Sequence, residues 1–195
     1  MNSGHKGMNI NEIGEVVLLG AGQMGMAMAK SWLAAGLKAQ KLTLVDPSPR
    51  QAAKDFAKTH NLKLVEQAPG QPASVVVIAV KPQVINQVMA EIKPKISPDT
   101  LVISIVAGVS LASLYDGLGT KRLVRAMPNT PAQVGKGATG AIAGDGADGQ
   151  NRVVADVLLS AAGLFVWLDQ ESEMDALTAV SGSGPAYVFL LAEAM

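Results

Sequence analysis

Short apolar runs alternate with amphipathic stretches along the chain. Glu15–Leu19 reads as a strand and runs into a cluster of glycines. Met24–Ala35 then has a helical pattern, with Gly36 placed as its C-terminal glycine. Leu42–Val45 is a second strand. Ser48 and Pro49 offer an N-cap and a first-turn proline for a helix to about His60. Ser74–Val80 is apolar almost throughout and rich in Val and Ile, as in a strand buried on both faces. Pro82–Ile92 reads as a helix with proline in its first turn. Leu101–Ile105, Leu123–Ala126 and Leu164–Leu168 are further strands, and Leu111–Leu118 and Val153–Ala162 further helices. Gly135–Gly149 is glycine-rich and reads as a loop around one short strand, Ala138–Ala143. Strands alternating with helices predict an α/β fold with a doubly wound, mainly parallel sheet. Ser181–Pro185 reads as the start of a strongly apolar helix, Ala186–Met195, which needs a partner from another chain or from further sequence.

Composition narrows the class. The 195 residues suit one full domain and part of a second. Sixteen basic residues balance sixteen acidic ones, so the chain has no electrostatic footprint for nucleic acid or an anionic membrane. Apolar residues make up 49% and aromatic ones 4%, which implies a core of small aliphatic side chains. Cysteine is absent, which excludes disulfides and thiolate metal sites. The longest purely aliphatic run, Val75–Val80, is far short of the roughly 20 residues that span a bilayer. Met1–Ile13 lacks the apolar core of a signal peptide and is expected to be a disordered leader. A cytoplasmic location follows as the default.

Gly20-Ala21-Gly22-Gln23-Met24-Gly25 matches G-x-G-x-x-G directly after a strand and at the opening of a helix, the context in which the pattern is informative. The first glycine permits the tight turn and the second admits a pyrophosphate to the backbone. The third lets helix and strand pack closely, and the helix N-terminus supplies donors. The fold is therefore expected to be Rossmann-like, with a bound dinucleotide. The second strand ends in Asp46, followed by Ser48 and Arg50. An acidic residue there favours a ribose 2′-hydroxyl and NADH; an Arg nearby favours a 2′-phosphate and NADPH. The residues leave both open, with NADPH slightly preferred.

The acid–base inventory is thin. The two histidines, His5 and His60, read as surface residues, which argues against a His-dependent dehydrogenase, a Ser-His-Asp hydrolase and a His-based metal site. No lysine follows Lys136, and Tyr115 and Tyr187 form no evident acid dyad. Ketone reduction wants a proton donor. A protonated imine is already electrophilic, so positioning beside a nicotinamide suffices. Imine reduction fits better than ketone reduction.

Four segments resemble pyrroline-5-carboxylate reductases. They are the glycine loop, Ala79-Val80-Lys81-Pro82-Gln83, Arg125-Ala126-Met127-Pro128-Asn129-Thr130-Pro131, and Asp175 to Tyr187 with its Ser181-Gly182-Ser183-Gly184-Pro185 core. The last two are long and specific in this order, and the resemblance spans about Val16 to Met195. It implies reduction of 1-pyrroline-5-carboxylate to proline with NADPH, NADH being possible, and a homodimer or larger homo-oligomer built by a helical domain. It also implies roles. The glycine loop holds the pyrophosphate, and Ser48 and Arg50 meet the adenosine ribose or its phosphate, with Glu66 near the adenosine. Ala79, Val80, Lys81 and Pro82 line the cofactor. Val106 and Ala107 lie near the nicotinamide half, and Met127, Asn129 and Thr130 floor the hydride site. Glu171 matches an acidic position on the substrate's ring-nitrogen side, and no catalytic residue is assignable.

The resemblance divides the chain into the leader 1–13, a dinucleotide-binding domain 14–169, and the truncated start of an all-helical substrate and dimerisation domain, 170–195. The family continues past Met195 with a Ser-Pro-Gly-Gly-Thr-Thr segment that binds the substrate, so impaired turnover is expected of this chain. Two other readings compete. A β-hydroxyacid dehydrogenase shares the Gly-x-Gly-x-Met-Gly opening but needs a lysine that Ala186–Met195 lacks. The other is a non-catalytic dinucleotide-binding module.

Overall fold

The computed structural model describes residues 8–195. One eight-stranded sheet organises them: β1 (Val16–Leu19), β2 (Leu42–Val45), β3 (Lys63–Val65), β4 (Val75–Ile78), β5 (Leu101–Ser104), β6 (Leu123–Met127), β7 (Gly137–Ala143) and β8 (Gly163–Trp167). Their order is β3-β2-β1-β4-β5-β6-β7-β8. Neighbours from β3 to β6 are parallel, β7 runs antiparallel to β6, and β8 is parallel to β7. The 3-2-1-4-5-6 order is that of the dinucleotide-binding doubly wound sheet. Strand direction across the fold therefore bears out the sequence-based expectation.

Both faces of the parallel sheet are covered, which explains why β1, β2, β4 and β5 are buried at every position and apolar at all but Thr43 and Ser104. α1 (Gln23–Ala34), α2 (Gln51–His60) and α5 (Gly149–Ser160) cover one face, where Leu18, Leu44 and Val77 meet Met28, Trp32 and Leu158. Trp32 is fully buried, and its Nε1–H donates to the Leu158 carbonyl at 2.8 Å, so its one polar atom is satisfied. α3 (Ile85–Ile92) and α4 (Leu111–Leu118) cover the other face through Ile85, Met89, Leu114 and Leu118. α6 (Glu173–Leu177) joins them: the Leu177 side chain lies against Gly140 of β7, where an added Cβ would collide with it.

Several local expectations are corrected. The leader is folded in its described half: Ile10 and Ile13 are buried in the core, and Asn9 caps a turn over Ile10–Glu12 through a reciprocal Asn9–Glu12 capping box. Lys41 Nζ fixes this turn by donating to the Asn11 and Ile13 carbonyls at 2.7 and 2.8 Å. His5 lies outside the described residues. α2 begins at Gln51, two residues later than Ser48 and Pro49 suggest. The Ser48 amide is turned back onto the Asp46 carboxylate, and a residue preceding proline avoids the helical region. β3 went unread because it is three residues long, starts with lysine and is exposed to half-buried. α5 starts at Gly149 because the Asp148 carboxylate caps the Asn151 amide at 2.9 Å.

Ser181–Pro185 is not the free start of a helix. A π-type turn over Thr178–Gly182 carries α6 on into α7 (Gly184–Ala194), with the Ser183 amide bonded to the Thr178 carbonyl. The Ser183 amide is thereby engaged within the protein. Tyr187, Val188, Phe189, Leu190 and Leu191 of α7 are exposed.

Candidate cofactor site

The site follows from the strand register. Leu19 of β1 pairs with Val45 of β2 on one side and Ile78 of β4 on the other, so all three strands end at one level. The sheet changes winding direction between β1 and β4, where open α/β sheets bind ligands. The segments leaving these strands, together with Ile105 and Ala107 after β5, line a crevice of about 1050 Å³.

Each glycine of the loop has a visible reason. Gly20 has φ +96°, and a Cβ there would come within 2.6 Å of the Ala79 carbonyl oxygen. Gly25 lies so close to the Gly20 carbonyl that no Cβ fits. At Gly22 a Cβ would meet nothing within 4 Å. The backbone is thus closed against β4 and α1 but open at Gly22, which faces the crevice and caps α1. The first amides of α1 have no partner inside the helix, which suits a pyrophosphate.

The neighbouring strand supports the loop. The Gly20 amide donates to the Val45 carbonyl at 2.8 Å, and the Ala21 amide to Asp46 Oδ2 at 3.0 Å. Asp46 Oδ1 accepts the Ser48 amide at 2.9 Å. Beyond this turn Ser48 and Arg50 are exposed on the crevice, and α2 begins there with no side chain capping it.

Most of the expected residues converge here. Gly20, Ala21, Gly22, Gln23, Met24, Ser48, Arg50, Ala79, Val80, Lys81, Pro82 and Ala107 all line the crevice, as does Glu66. Gly25 supports it from behind. Val106 is buried in the core below Ala107. Gln67, Val84, Gln87 and Val88 also line it and were not foreseen. The only sequence signal for Gln87 and Val88 was the helical repeat that puts them one turn after Pro82–Val84.

Besides Gly25 and Val106, four expected residues lie outside the lining. Met127 is buried at the end of β6 and Thr130 is exposed. Asn129 is buried and bridges two segments: its Nδ2 donates to the Ser181 carbonyl at 3.0 Å, and its Oδ1 accepts the Ala138 amide at 2.8 Å. Glu171 is held elsewhere: its Oε1 accepts Arg125 Nη1 at 2.6 Å and the Leu111 amide at 2.9 Å. Arg125 was quoted only as part of a motif. It is a buried cation inside β6, and Glu171 is its ion-pair partner. His60 stacks near Phe56 at the end of α2, ring centroids 4.5 Å apart, away from the crevice lining.

A twisted, mainly parallel sheet with a glycine-rich cradle at its switch point defines the class: a dinucleotide-binding α/β protein of the Rossmann type. Comparison with known proteins makes this specific. A family model for NADP oxidoreductase, coenzyme F420-dependent, matches residues 15–108, and one for pyrroline-5-carboxylate reductase dimerisation matches residues 171–195. A pyrroline-5-carboxylate reductase of Pseudomonas aeruginosa is 42% identical over 92% of this chain and 67% of its own length. That of Arabidopsis thaliana is 32% identical over 93% of this chain and 66% of its own. Among solved structures, the Coxiella burnetii enzyme superposes with a TM-score of 0.85 at 32% identity, covering 93% of this chain and 68% of that one. The Plasmodium falciparum pyrroline carboxylate reductase with NADP bound gives 0.83 at 30% identity, covering 96% and 68%. The chain belongs to the pyrroline-5-carboxylate reductase family, and it spans about two thirds of the length of these relatives. Among the described residues no helix is long and apolar enough to cross a membrane.

Proposed function

We propose that the crevice holds NADPH, with NADH as a second cofactor, and that the chain serves the reduction of 1-pyrroline-5-carboxylate to L-proline. Gly22 carries the cofactor reading: it is open to the crevice in a loop closed against its own protein on both sides. Family membership supplies the substrate. When bound, the cofactor supplies a hydride to the imine carbon.

The protein's part is binding and placement. The amides at the start of α1 receive the pyrophosphate. Ser48 and Arg50 meet a 2′-phosphate, which favours NADPH over NADH. Lys81 adds positive charge to the crevice wall. Ala79, Val80 and Pro82 pack along the cofactor, and Ala107 marks the nicotinamide end. Met127, Asn129 and Thr130 shape the floor, Asn129 by fixing β7 and the turn at Ser181. Glu171 is a positioning residue that ties the helical segment to β6 and α4. A second copy of the chain is the partner of α7, in keeping with its exposed apolar side chains and the dimerisation model that matches it. NADPH and NADH are intracellular reductants, so the reading places the reaction in the cytoplasm.

The test is titration of the chain with NADPH and NADH, followed by cofactor oxidation on adding 1-pyrroline-5-carboxylate. Tighter binding of NADPH and substrate-dependent oxidation are expected. Binding of neither cofactor overturns the reading. Oxidation driven by a 3-hydroxy acid's keto form, and not by the imine, replaces it with the dehydrogenase alternative.

A further inference from the structure

Asp46 stands where a doubly wound fold often keeps an acid for the ribose of NADH, yet its carboxylate is engaged within the protein. Oδ2 accepts the amide of Ala21, 25 residues earlier, inside the glycine loop; Oδ1 accepts the amide of Ser48. The two bonds join two parts of the crevice wall that lie 25 residues apart in sequence. One fixes the loop between Gly20 and Gly22, and the other fixes the turn that presents Ser48 and Arg50. The backbone alone does not do this. Val45 holds Gly20 through its carbonyl, and the Asp46 amide extends the pairing to the Val65 carbonyl at 3.0 Å, but Ala21 has the Asp46 side chain as its acceptor.

We infer that Asp46 is a positioning residue that clamps the glycine loop to the adenosine turn, and that it does not choose between the two cofactors. This rests on the cofactor reading above. A carboxylate bonded to two amides keeps fewer lone pairs for a diol, and its bonds to backbone N–H are the stronger, charge-assisted kind. Asn at this position keeps the Ser48 bond through its carbonyl oxygen. It then turns its own amide donor toward the Ala21 N–H, so the loop clamp is lost alone.

The experiment compares the wild-type chain with Asp46→Asn by binding and by amide hydrogen exchange. Titrations with NADPH and NADH are followed by nicotinamide fluorescence. Both affinities are expected to fall by the same factor, roughly tenfold, leaving their ratio unchanged within about twofold. The Ala21 amide is expected to be protected in the wild-type chain and to exchange faster in the variant. A fall for NADH alone, with NADPH unchanged or tighter, makes Asp46 a ribose ligand and overturns the inference; unchanged affinity for both also overturns it. An Ala21 amide that exchanges freely in the wild-type chain overturns it without any variant, so the inference does not depend on the variant folding. If the wild-type chain binds neither cofactor, the function proposed above fails, and exchange at Ala21 still decides whether the clamp exists.

Discussion

Replacing Glu171 with alanine isolates an ion pair to the buried Arg125 that holds the helical segment to the sheet. Arg125 Nη1 lies 2.6 Å from Glu171 Oε1, and the Arg125 side chain is 9% exposed. Its Nε has no hydrogen-bond partner among the described residues, so the guanidinium depends heavily on this carboxylate. Removing one partner of a buried pair costs about 3–5 kcal/mol, because the remaining charge is left without compensation. Glu171 is 33% exposed, so water reaches the vacated position and brings this to about 2–3 kcal/mol. The Leu111 amide also loses its acceptor at the start of α4, which adds about 0.5–1 kcal/mol. The sum is about 3 kcal/mol, or a fall in Tm of roughly 6–12 °C for a chain of this size. Urea unfolding followed by circular dichroism measures it. Arg125→Met removes the stranded cation at nearly constant apolar volume. The double variant is therefore expected to be more stable than Glu171→Ala alone, with a coupling of about 2 kcal/mol. A Glu171→Ala variant within about 0.5 kcal/mol of wild type, or additive effects in the cycle, would show that the carboxylate is an ordinary solvated group and refute the reasoning.

The glycine loop gives a contrasting pair. Gly22→Ala adds a methyl where the protein has nothing, so the urea midpoint should hardly move while NADPH affinity falls at least about tenfold. Gly25→Ala drives a methyl into the Gly20 carbonyl and should cost about 1–3 kcal/mol of stability before any cofactor is added. Arg50→Ala should weaken NADPH by about tenfold to a hundredfold in a titration and leave NADH unchanged; equal losses for both would remove the 2′-phosphate assignment. Asp148 is held below its ordinary value of 3.8, chiefly by the Asn151 amide that it caps. A depressed carboxylate contributes stability above its unfolded pKa and loses it as pH falls through its folded one. Asp148→Asn keeps a capping oxygen but has no proton to bind, so its unfolding midpoint should fall less steeply below about pH 4 than that of the wild-type chain.

What was legible in the sequence was local and periodic. β1, the glycine loop and the start of α1 form one continuous stretch whose geometry is set by neighbours within a few residues, so the three glycine roles could be assigned in advance. The buried parallel strands declared themselves because burial on both faces removes polar positions. β3 did not, because an edge strand of three residues needs no apolar run. β7 extends one residue before the expected Ala138, because it opens on Gly137, a residue type that does not mark a strand. The Asn9–Glu12 capping box is present in the sequence, but it sits in a Gly- and Asn-containing stretch with no apolar run to mark it as folded.

What was not legible depends on bonds between distant positions. The resemblance set Glu171 on the substrate's ring-nitrogen side, and nothing in the motif pointed to its ion-pair partner Arg125, 46 residues away in β6. For Asp46 the sequence leaves a ribose contact open because motif reasoning treats the acid as free, while the structure gives both its oxygens to the backbone. The two cases have the same form. In each, a carboxylate placed by a motif near the cofactor or substrate is taken up by donors of the protein itself, and its effect on the ligand passes through the segment it holds. Asp46 holds the loop proposed to face the pyrophosphate, and Glu171 holds the first amide of α4, four residues after Ala107 at the proposed nicotinamide end. One carboxylate therefore fixes each end of the crevice. Substitution at either should change how tightly the cofactor is held more than which cofactor is chosen, leaving that choice to Ser48 and Arg50.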